Sequence, residues 1–493
     1  MSAKSVHEFR VIIIGAGPGG LCTAIKLREA GIEDFVILEK ADGVGGTWWH
    51  NRYPGAECDV KSHLYSFSFE LKRDWSRPYA GQEEILAYMQ HVAEKYGVLP
   101  FCRFGNTVER AQWSDEDACW EVATAAGEVY RAPFVVSGMG MFNELMWPDL
   151  PGLDTFRGKL FHSARWDHDY DLAGKRVACI GSAASAVQFV PEIAPKTARL
   201  HVFQRTANWV VPKEDTPYTE DELRVLREDP DAILRSREQI YEELNSFILF
   251  NDPELQAQNE AAGLANIEVV EDTEVRAKLR PTHPFGCKRP LFSNRYYPTF
   301  NLPQVELVTD GIERLSEHGV VTVDGREREV DCAIVATGFQ VSRYLSAIEV
   351  VGRGGRRLED AWSDGAQAYL GITTHGFPNL FMLYGPNTNN GSILFMLERQ
   401  VDYLVRQIQR VEREALAFID VREDVEAHYN ECMQRDIHKV EVWQANCGHY
   451  YNAKSGRMVT QWPHDLNEYT ARTTSEDADA YEAMPRAALA SAG

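Results

Sequence analysis

Two glycine-rich turns, each following a short apolar run, constrain this 493-residue chain more than anything else in it. The first is IIIGAGPGG at 12–20 and the second is ACIGSAASA at 178–186. Residues 9–14 (FRVIII) have the continuous β-branched character of a buried parallel strand, followed by a helical pattern over 21–30 and a second strand at 34–40. The second turn repeats the plan: strand 176–181, helix through Val190, strand 200–205. Gly15 to Glu39 is 24 residues, and so is Gly181 to Arg205. A repeated β-α-β unit with a glycine turn after its first strand predicts an α/β protein with two Rossmann-like dinucleotide-binding domains.

The turns also indicate what is bound. Gly15, Gly17 and Gly20 form a GxGxxG pattern that lets the backbone approach a pyrophosphate at a helix N-terminus. Glu39, at the end of the next strand, is placed to accept hydrogen bonds from ribose hydroxyls. In the second turn, Gly181, Ser182, Ala183 and Ser185 are the candidate contacts, but Ala183 and Ala186 stand where glycines are usual, which weakens close approach. Arg205, counted as the equivalent of Glu39, offers a fork of donors for a 2′-phosphate, and Thr206 adds a hydroxyl. The first unit is therefore expected to hold a dinucleotide without that phosphate and the second NADPH. Two dinucleotides on one chain point to hydride transfer from NADPH to a flavin.

The remaining segments are less regular. Residues 156–167 (FRGKLFHSARWD) read as a joint between the two units, with Phe156, Gly158, His162 and Trp166 at fixed spacings. Residues 214–280 are polar and Ala/Glu/Leu-rich and read as a helical insertion with one helix over 231–250. A strong helix is expected at 393–411, and the last twenty or so residues are expected to be loosely ordered. A net charge of −22 argues against nucleic acid or an anionic membrane as partner. The nine cysteines are dispersed with no CxxC pair, which suits a reducing compartment better than a disulfide framework and supplies neither a metal site nor the redox pair of a disulfide reductase. The first strand begins by residue 11, leaving no room for a signal peptide, so a cytoplasmic protein is expected.

The spacing Phe156-x-Gly158-x-x-x-His162-x-x-x-Trp166-Asp167 resembles the fingerprint of Baeyer–Villiger monooxygenases. So does a second signature, Gly45-Gly46-x-Trp48 followed by Tyr53-Pro54-Gly55 and Asp59. The run DCAIVATGF, with Thr337 and Gly338, resembles the strand and turn ending the nicotinamide domain of related flavoproteins. The resemblance implies FAD on residues 1–152 and 340–493, NADP on 153–213 and 281–339, and the insertion between. It assigns Gly46, Thr47, Trp48, Asp59 and Tyr65 to the flavin side, and Lys288, with Arg205 and Thr206, to the 2′-phosphate. It makes Arg289 and Asp59 the catalytic pair: the guanidinium stabilises a flavin C4a-peroxide as its anion, then the oxyanion formed on the ketone, while Asp59 orients it. His162 becomes a positioning residue. The implied reaction uses NADPH and O₂ to convert a small-molecule ketone into an ester or lactone, in a monomer or weak homo-oligomer. An N- or S-oxygenating flavin monooxygenase is the alternative, disfavoured by Trp166 where that family usually has Tyr. An inactive NADPH-binding regulator is a remote third.

Overall fold

The computed structural model describes residues 6–489 except 446 and 449. Val11–Ile14 is buried along its whole length and lies at the centre of a five-stranded parallel sheet. Phe35–Leu38 and Cys102–Arg103 flank it on one side, Phe134–Ser137 and Leu380–Met382 on the other. The helix Pro18–Glu29 returns across this sheet and packs on Ile393–Arg413, whose buried stripe supplies Leu394, Leu397, Val401 and Leu404 to the same core. A mixed sheet built around Val108–Ser114 and Cys119–Thr124 closes the outer face.

The second unit repeats the arrangement. Arg176–Ile180 is the central strand, with Arg199–Phe203 and Val305–Val308 on one side and Cys332–Val335 on the other, all parallel. The register refines the 24-residue equality. Ile14 lies opposite Leu38, and Gly15 N donates to Leu38 O at 2.8 Å; Ile180 lies opposite Phe203, and Gly181 N donates to Phe203 O at 3.1 Å. The residue leaving the paired strand is thus Glu39 in the first unit and Gln204 in the second, so Arg205 is one position beyond the equivalent of Glu39. Because side chains alternate along an extended chain, that single step changes the outcome. Gln204 turns inward and donates to Lys278 O at 2.9 Å, while Arg205 is exposed.

The segment 156–167 is not a free joint. Lys159–His162 is the edge strand of the second sheet, pairing in parallel with Cys332–Val335. Leu160 and Phe161 point to opposite faces of that sheet and join different clusters, which is the period-2 alternation a strand requires. The chain crosses between the units instead near 138–148 and 336–341. These two crossings run side by side, Met146 N donating to Gly338 O at 2.8 Å and Gln340 N to Glu144 O at 3.0 Å.

Three other expectations change. The insertion contains four helices, Glu220–Glu228, Ala232–Phe247, Pro253–Ile267 and Thr273–Leu279, three of them begun by a side-chain cap from Thr219, Asp252 or Asp272. Ala232–Phe247 lies against the first unit, where Arg237 donates to the carbonyls of His63 and Ser66, both at 2.9 Å, and Ile240 enters the core. Toward the C-terminus, Tyr481–Pro485 is a strand paired antiparallel with Leu416–Val421, and the buried Tyr481 anchors it; residues 490–493 lie outside the described residues. Cys287 and Cys447 form a disulfide across a sequence separation of 160. The other seven cysteines are free. Only tertiary packing brings the bonded pair together, so dispersion along the sequence says nothing against it.

Candidate active site

The glycine turn of the first unit is shaped by contacts that admit no side chain. Gly15 has φ +100°, and a Cβ there would meet Gly138 O at 2.8 Å; one on Gly20 would meet Gly15 O at 1.9 Å. Gly20 is therefore a packing glycine inside the helix, whereas Gly17 meets a second loop. A Cβ on Gly46 (φ +56°) would lie 2.8 Å from the Gly17 Cα. The two glycine loops thus touch backbone to backbone beside the N-terminus of Pro18–Glu29, where unpaired N–H groups favour an anion. Glu39 is buried at the rim, accepting from Ala16 N and Ala41 N, each at 2.7 Å. Its carboxylate organises the turn as well as facing a ribose site.

The second turn is built differently. Gly181 (φ +118°) fits against Ala336 O, only 2.4 Å from where its Cβ would be. Ala183 leads into the helix Ala184–Ile193, and Ala186 is fully buried, its methyl filling space in the core. Ser163 Oγ donates to Ser185 Oγ at 3.3 Å, and Ser182 O accepts from Asn208 Nδ2 at 3.0 Å. Arg205 and Thr206 are exposed just past the strand, and Lys288 is half-buried beside Arg205. The loops bearing them are tied together: Trp209 Nε1 donates to His283 O at 2.8 Å and Leu291 N to Trp209 O at 2.9 Å. Burial, together with the like charge of Arg205, pushes the Lys288 ammonium below its usual value. Two cations held in this way favour a multivalent anion.

Between the units lies a cavity of about 550 Å³, lined from the first by Gly15, Gly17, Glu39, Gly46, Thr47, Trp48, Asp59 and Tyr65. The second contributes Ala183, Ser185, Arg289, Thr337 and Gly338. Gly20, Gly181, Ser182, Arg205, Thr206 and Lys288 do not line it; the first three support the turns and the last three form the outer cation site. Trp48 Nε1 donates to Tyr65 OH at 3.0 Å, fixing both rings in the wall. Asp59 and Arg289, 230 residues apart, form an ion pair: Nε and Nη2 both donate to Oδ2, at 2.8 and 2.7 Å. Asp59 outweighs burial and holds the guanidinium well above its ordinary pKa, so it stays charged. Both bonds end on one oxygen, leaving Nη1 uncommitted to Asp59.

Sequence reasoning missed part of this wall. Lys213, buried, pairs with Glu57 at 2.6 Å and Asp215 at 3.2 Å and also faces the cavity. Tyr384 and Tyr450 lie near Arg289. Leu383 and Tyr384, in the turn 383–387, also line the cavity. Tyr53 OH donates to Gln188 Oε1 at 2.8 Å and Gln188 Nε2 to Glu57 O at 3.0 Å, a polar stitch between the units. Lys213 and Gln188 carry no glycine turn or motif spacing that would single them out, whereas Tyr53 lies in the second signature. His162 is 1% exposed, and its Nδ1 accepts from Ala164 N at 3.1 Å, which assigns the proton to Nε2. Nε2 faces the carbonyls of Gly338 and Met146, on the two crossings, without closing a hydrogen bond of normal geometry. Burial, then Arg165, pushes its pKa down to about 4. At neutral pH it is an uncharged post between the crossings, poorly suited to act as an acid.

Two dinucleotide cradles facing one cavity that holds a fixed arginine define a pyridine-nucleotide-dependent flavoprotein oxidoreductase. Residues 12–246 match the family model of pyridine nucleotide-disulphide oxidoreductases. A Baeyer–Villiger monooxygenase of Pseudomonas aeruginosa is 42% identical over 98% of this chain and 94% of its own length. Cyclohexanone monooxygenase from Rhodococcus sp. Phi1, bound to NADP⁺, superposes with a TM-score of 0.89 at 32% identity, over 98% of this chain and all of that one. OTEMO in complex with FAD and NADP gives a TM-score of 0.85 at 29% identity, over 96% of this chain and 99% of that one. The chain belongs to the Baeyer–Villiger monooxygenase family, enzymes that use a flavin and NADPH. Among the described residues no helix is long and apolar enough to cross a membrane, and no group of three or more His, Cys, Asp or Glu is placed to hold a metal ion.

Proposed function

We propose that this enzyme inserts one oxygen atom from O₂ beside the carbonyl of a ketone, yielding an ester or lactone, with Arg289 and Asp59 as its catalytic pair. The observation that carries the proposal is the Asp59–Arg289 ion pair in the wall of a cavity that both nucleotide cradles share. The first cradle suits FAD: backbone apposed at Gly17 and Gly46 leaves room for a pyrophosphate, and Glu39 has no phosphate to repel at the ribose. The outer pair Arg205 and Lys288, with Thr206, suits the 2′-phosphate of NADPH. We assign residues 1–152 and 340–493 to the flavin domain and 153–213 with 281–339 to the NADP domain. Residues 214–280 are the insertion that braces them.

Bound flavin, once reduced by NADPH, supplies the O₂ activation and oxygen transfer. Each residue has a narrower task. Arg289 presents a permanent positive charge where negative charge develops on oxygen, and being fixed in advance it stabilises that charge with little reorganisation. Asp59 holds the guanidinium through Oδ2 and keeps Nη1 free to point elsewhere. Trp48 and Tyr65 close the wall around the pair and exclude water. His162 stays neutral and spaces the two crossings, so that the nicotinamide side can shift relative to the flavin side. The purified enzyme with NADPH, O₂ and a mixed panel of ketones and sulfides, products identified by mass, tests the reading: ketones gaining one oxygen as esters support it, and sulfoxides with no ester from any ketone overturn it.

A further inference from the structure

The Cys287–Cys447 disulfide joins the loop that carries Arg289 to the loop that carries Tyr450. Cys287 immediately precedes Lys288 and Arg289, and Cys447 lies three residues before Tyr450, whose ring lines the same cavity as Arg289 and Asp59. Cys287 is fully buried, in a turn closed by Cys287 N donating to Pro284 O at 3.2 Å. Its neighbour Gly286 (φ +85°) is pressed against the Phe250 ring, 2.5 Å from where a Cβ would be. That side of the link is rigid. On the other side Tyr451 is buried in an apolar cluster with Trp443, Met458 and Trp462, yet Tyr450 is 39% exposed and faces the open space. Burial raises the pKa of Tyr450 and of its buried neighbour Tyr451, and the charge of Arg289, close to both, pulls in the opposite direction.

We propose that this disulfide is a redox-sensitive clamp that holds Tyr450 as a wall of the ketone site, making the C-terminal loop part of the pocket only in the oxidised protein. The proposal rests on the assignment of Arg289 and Asp59 given above. Tyr450 is a positioning residue: it limits where a ketone rests against the guanidinium, and the covalent link limits where Tyr450 rests. A dithiol opens the clamp by ordinary exchange. One thiolate attacks a cysteine sulfur, the Cys287–Cys447 bond breaks and releases the other cysteine as thiolate, and the second thiol of the reagent displaces the first cysteine. Two electrons and two protons pass to the protein, and the dithiol becomes a disulfide. Once freed, the loop segment before Tyr450 loses its tie to the arginine loop, and substrate is held less closely. A misplacement near 1 Å lowers productive reaction by up to about 100-fold, so a loosened wall is expected to reduce coupling by roughly tenfold.

The test uses the full FAD-loaded enzyme prepared without reductant. Alkylation and non-reducing peptide mapping are expected to show one peptide joining Cys287 to Cys447 and seven alkylated cysteines, against nine after dithiothreitol. Ester formed per NADPH consumed is then measured before and after dithiothreitol, for the native enzyme and for Cys287→Ser, Cys447→Ser and Tyr450→Ala. Support is a fall in coupling on reduction of the native enzyme, with FAD content unchanged, and variants that are already low and no longer respond to dithiothreitol. Free thiols at both positions even after mild oxidation overturn the proposal. So does a linked peptide whose reduction leaves coupling unaltered. Should the serine variants fail to fold, the native enzyme with and without dithiothreitol still decides. Arg289→Ala in the oxidised enzyme separates the two claims: if it makes ester normally, the catalytic assignment fails, whereas the mapping and the dithiothreitol response judge the clamp.

Discussion

The two nucleotide-binding units have the same strand–turn–helix plan but different tolerances. In the first, Gly15, Gly17, Gly20 and Gly46 bring backbone against backbone, and a methyl group at Gly15, Gly20 or Gly46 would collide with the facing backbone. In the second, only Gly181 is under comparable constraint; Ala183 and Ala186 stand where the first unit has glycines, and the Ala186 methyl is absorbed into the core. The recognition side chains differ in the same sense. Glu39 is buried and bonded to the turn it serves, whereas Arg205 and Thr206 are exposed one residue beyond the corresponding place. A tight cradle suits a group that stays, and an open one suits a group that arrives and leaves. Similar sequence periodicity therefore does not imply similar ligand handling.

The sharpest attempt to break this contrast is Gly20→Ala. With a backbone oxygen 1.9 Å from the new Cβ, the helix must move off the turn, and the variant is expected to lose bound FAD and more than about 3 kcal/mol of stability. Flavin absorbance and thermal melting check this, and normal FAD retention would refute the account of the first cradle. Next in size is Arg289→Ala, which sits where the units meet. It should still be reduced by NADPH but form ester about 100- to 1,000-fold more slowly. Stopped-flow flavin reduction beside product analysis separates the two steps.

Arg205→Ala addresses the open site. Binding of NADPH should weaken by about 10- to 100-fold and NADH hardly at all, since only the former carries the phosphate. Equal weakening of both in titrations would remove the phosphate assignment. Glu306, on the outer strand of the second sheet, is paired with Arg328 at 3.0 Å and His201 at 2.9 Å. Burial alone would raise its pKa, but Arg328 and its neighbours bring it down to about 2. A carboxylate lowered on folding stabilises the protein above its unfolded pKa, about 4.3, and that contribution fades as pH falls toward 2. Glu306→Gln should therefore melt several degrees lower at pH 7, with the gap from the native protein shrinking as pH falls from about 4.5 to about 2; a constant gap would contradict the pairing. Ala186→Gly should have the smallest functional effect, a loss of about 1–2 kcal/mol from helix propensity and the deleted buried methyl, with NADPH affinity unchanged. A tenfold gain in affinity would show that the methyl does obstruct the cofactor.

Much of this was legible before any coordinates. The paired glycine turns and the β-branched strands after residue 10 and residue 175 specify local geometry directly, because only glycine tolerates the backbone approach at positions such as 15 and 181. In sequence the insertion reads as helical but as one helix, since its short pieces are begun by single capping residues and not by a long apolar stripe. The segment 156–167 was harder. Its spacing marked it, yet a four-residue edge strand has too little periodicity to be told from a joint, and its partner Cys332–Val335 lies far along the chain. Arg289 and Asp59 are found through motif resemblance, while Lys213 carries no signal of that kind.

Sequence alone thus settled what is local: two β-α-β units, the turn each requires, an acid after one and a base after the other, and the class of chemistry that two dinucleotides imply. Tertiary structure decided whatever depends on distant chain segments meeting. It set the one-residue offset that turns Gln204 in and Arg205 out, the bonding of Asp59 to an arginine 230 positions away, and the disulfide that fastens the C-terminal loop beside them. The physical reason is the same in each case. Backbone sterics and side-chain alternation act over a few residues and are written in order, whereas an ion pair, a cavity wall or a disulfide depends only on proximity in space.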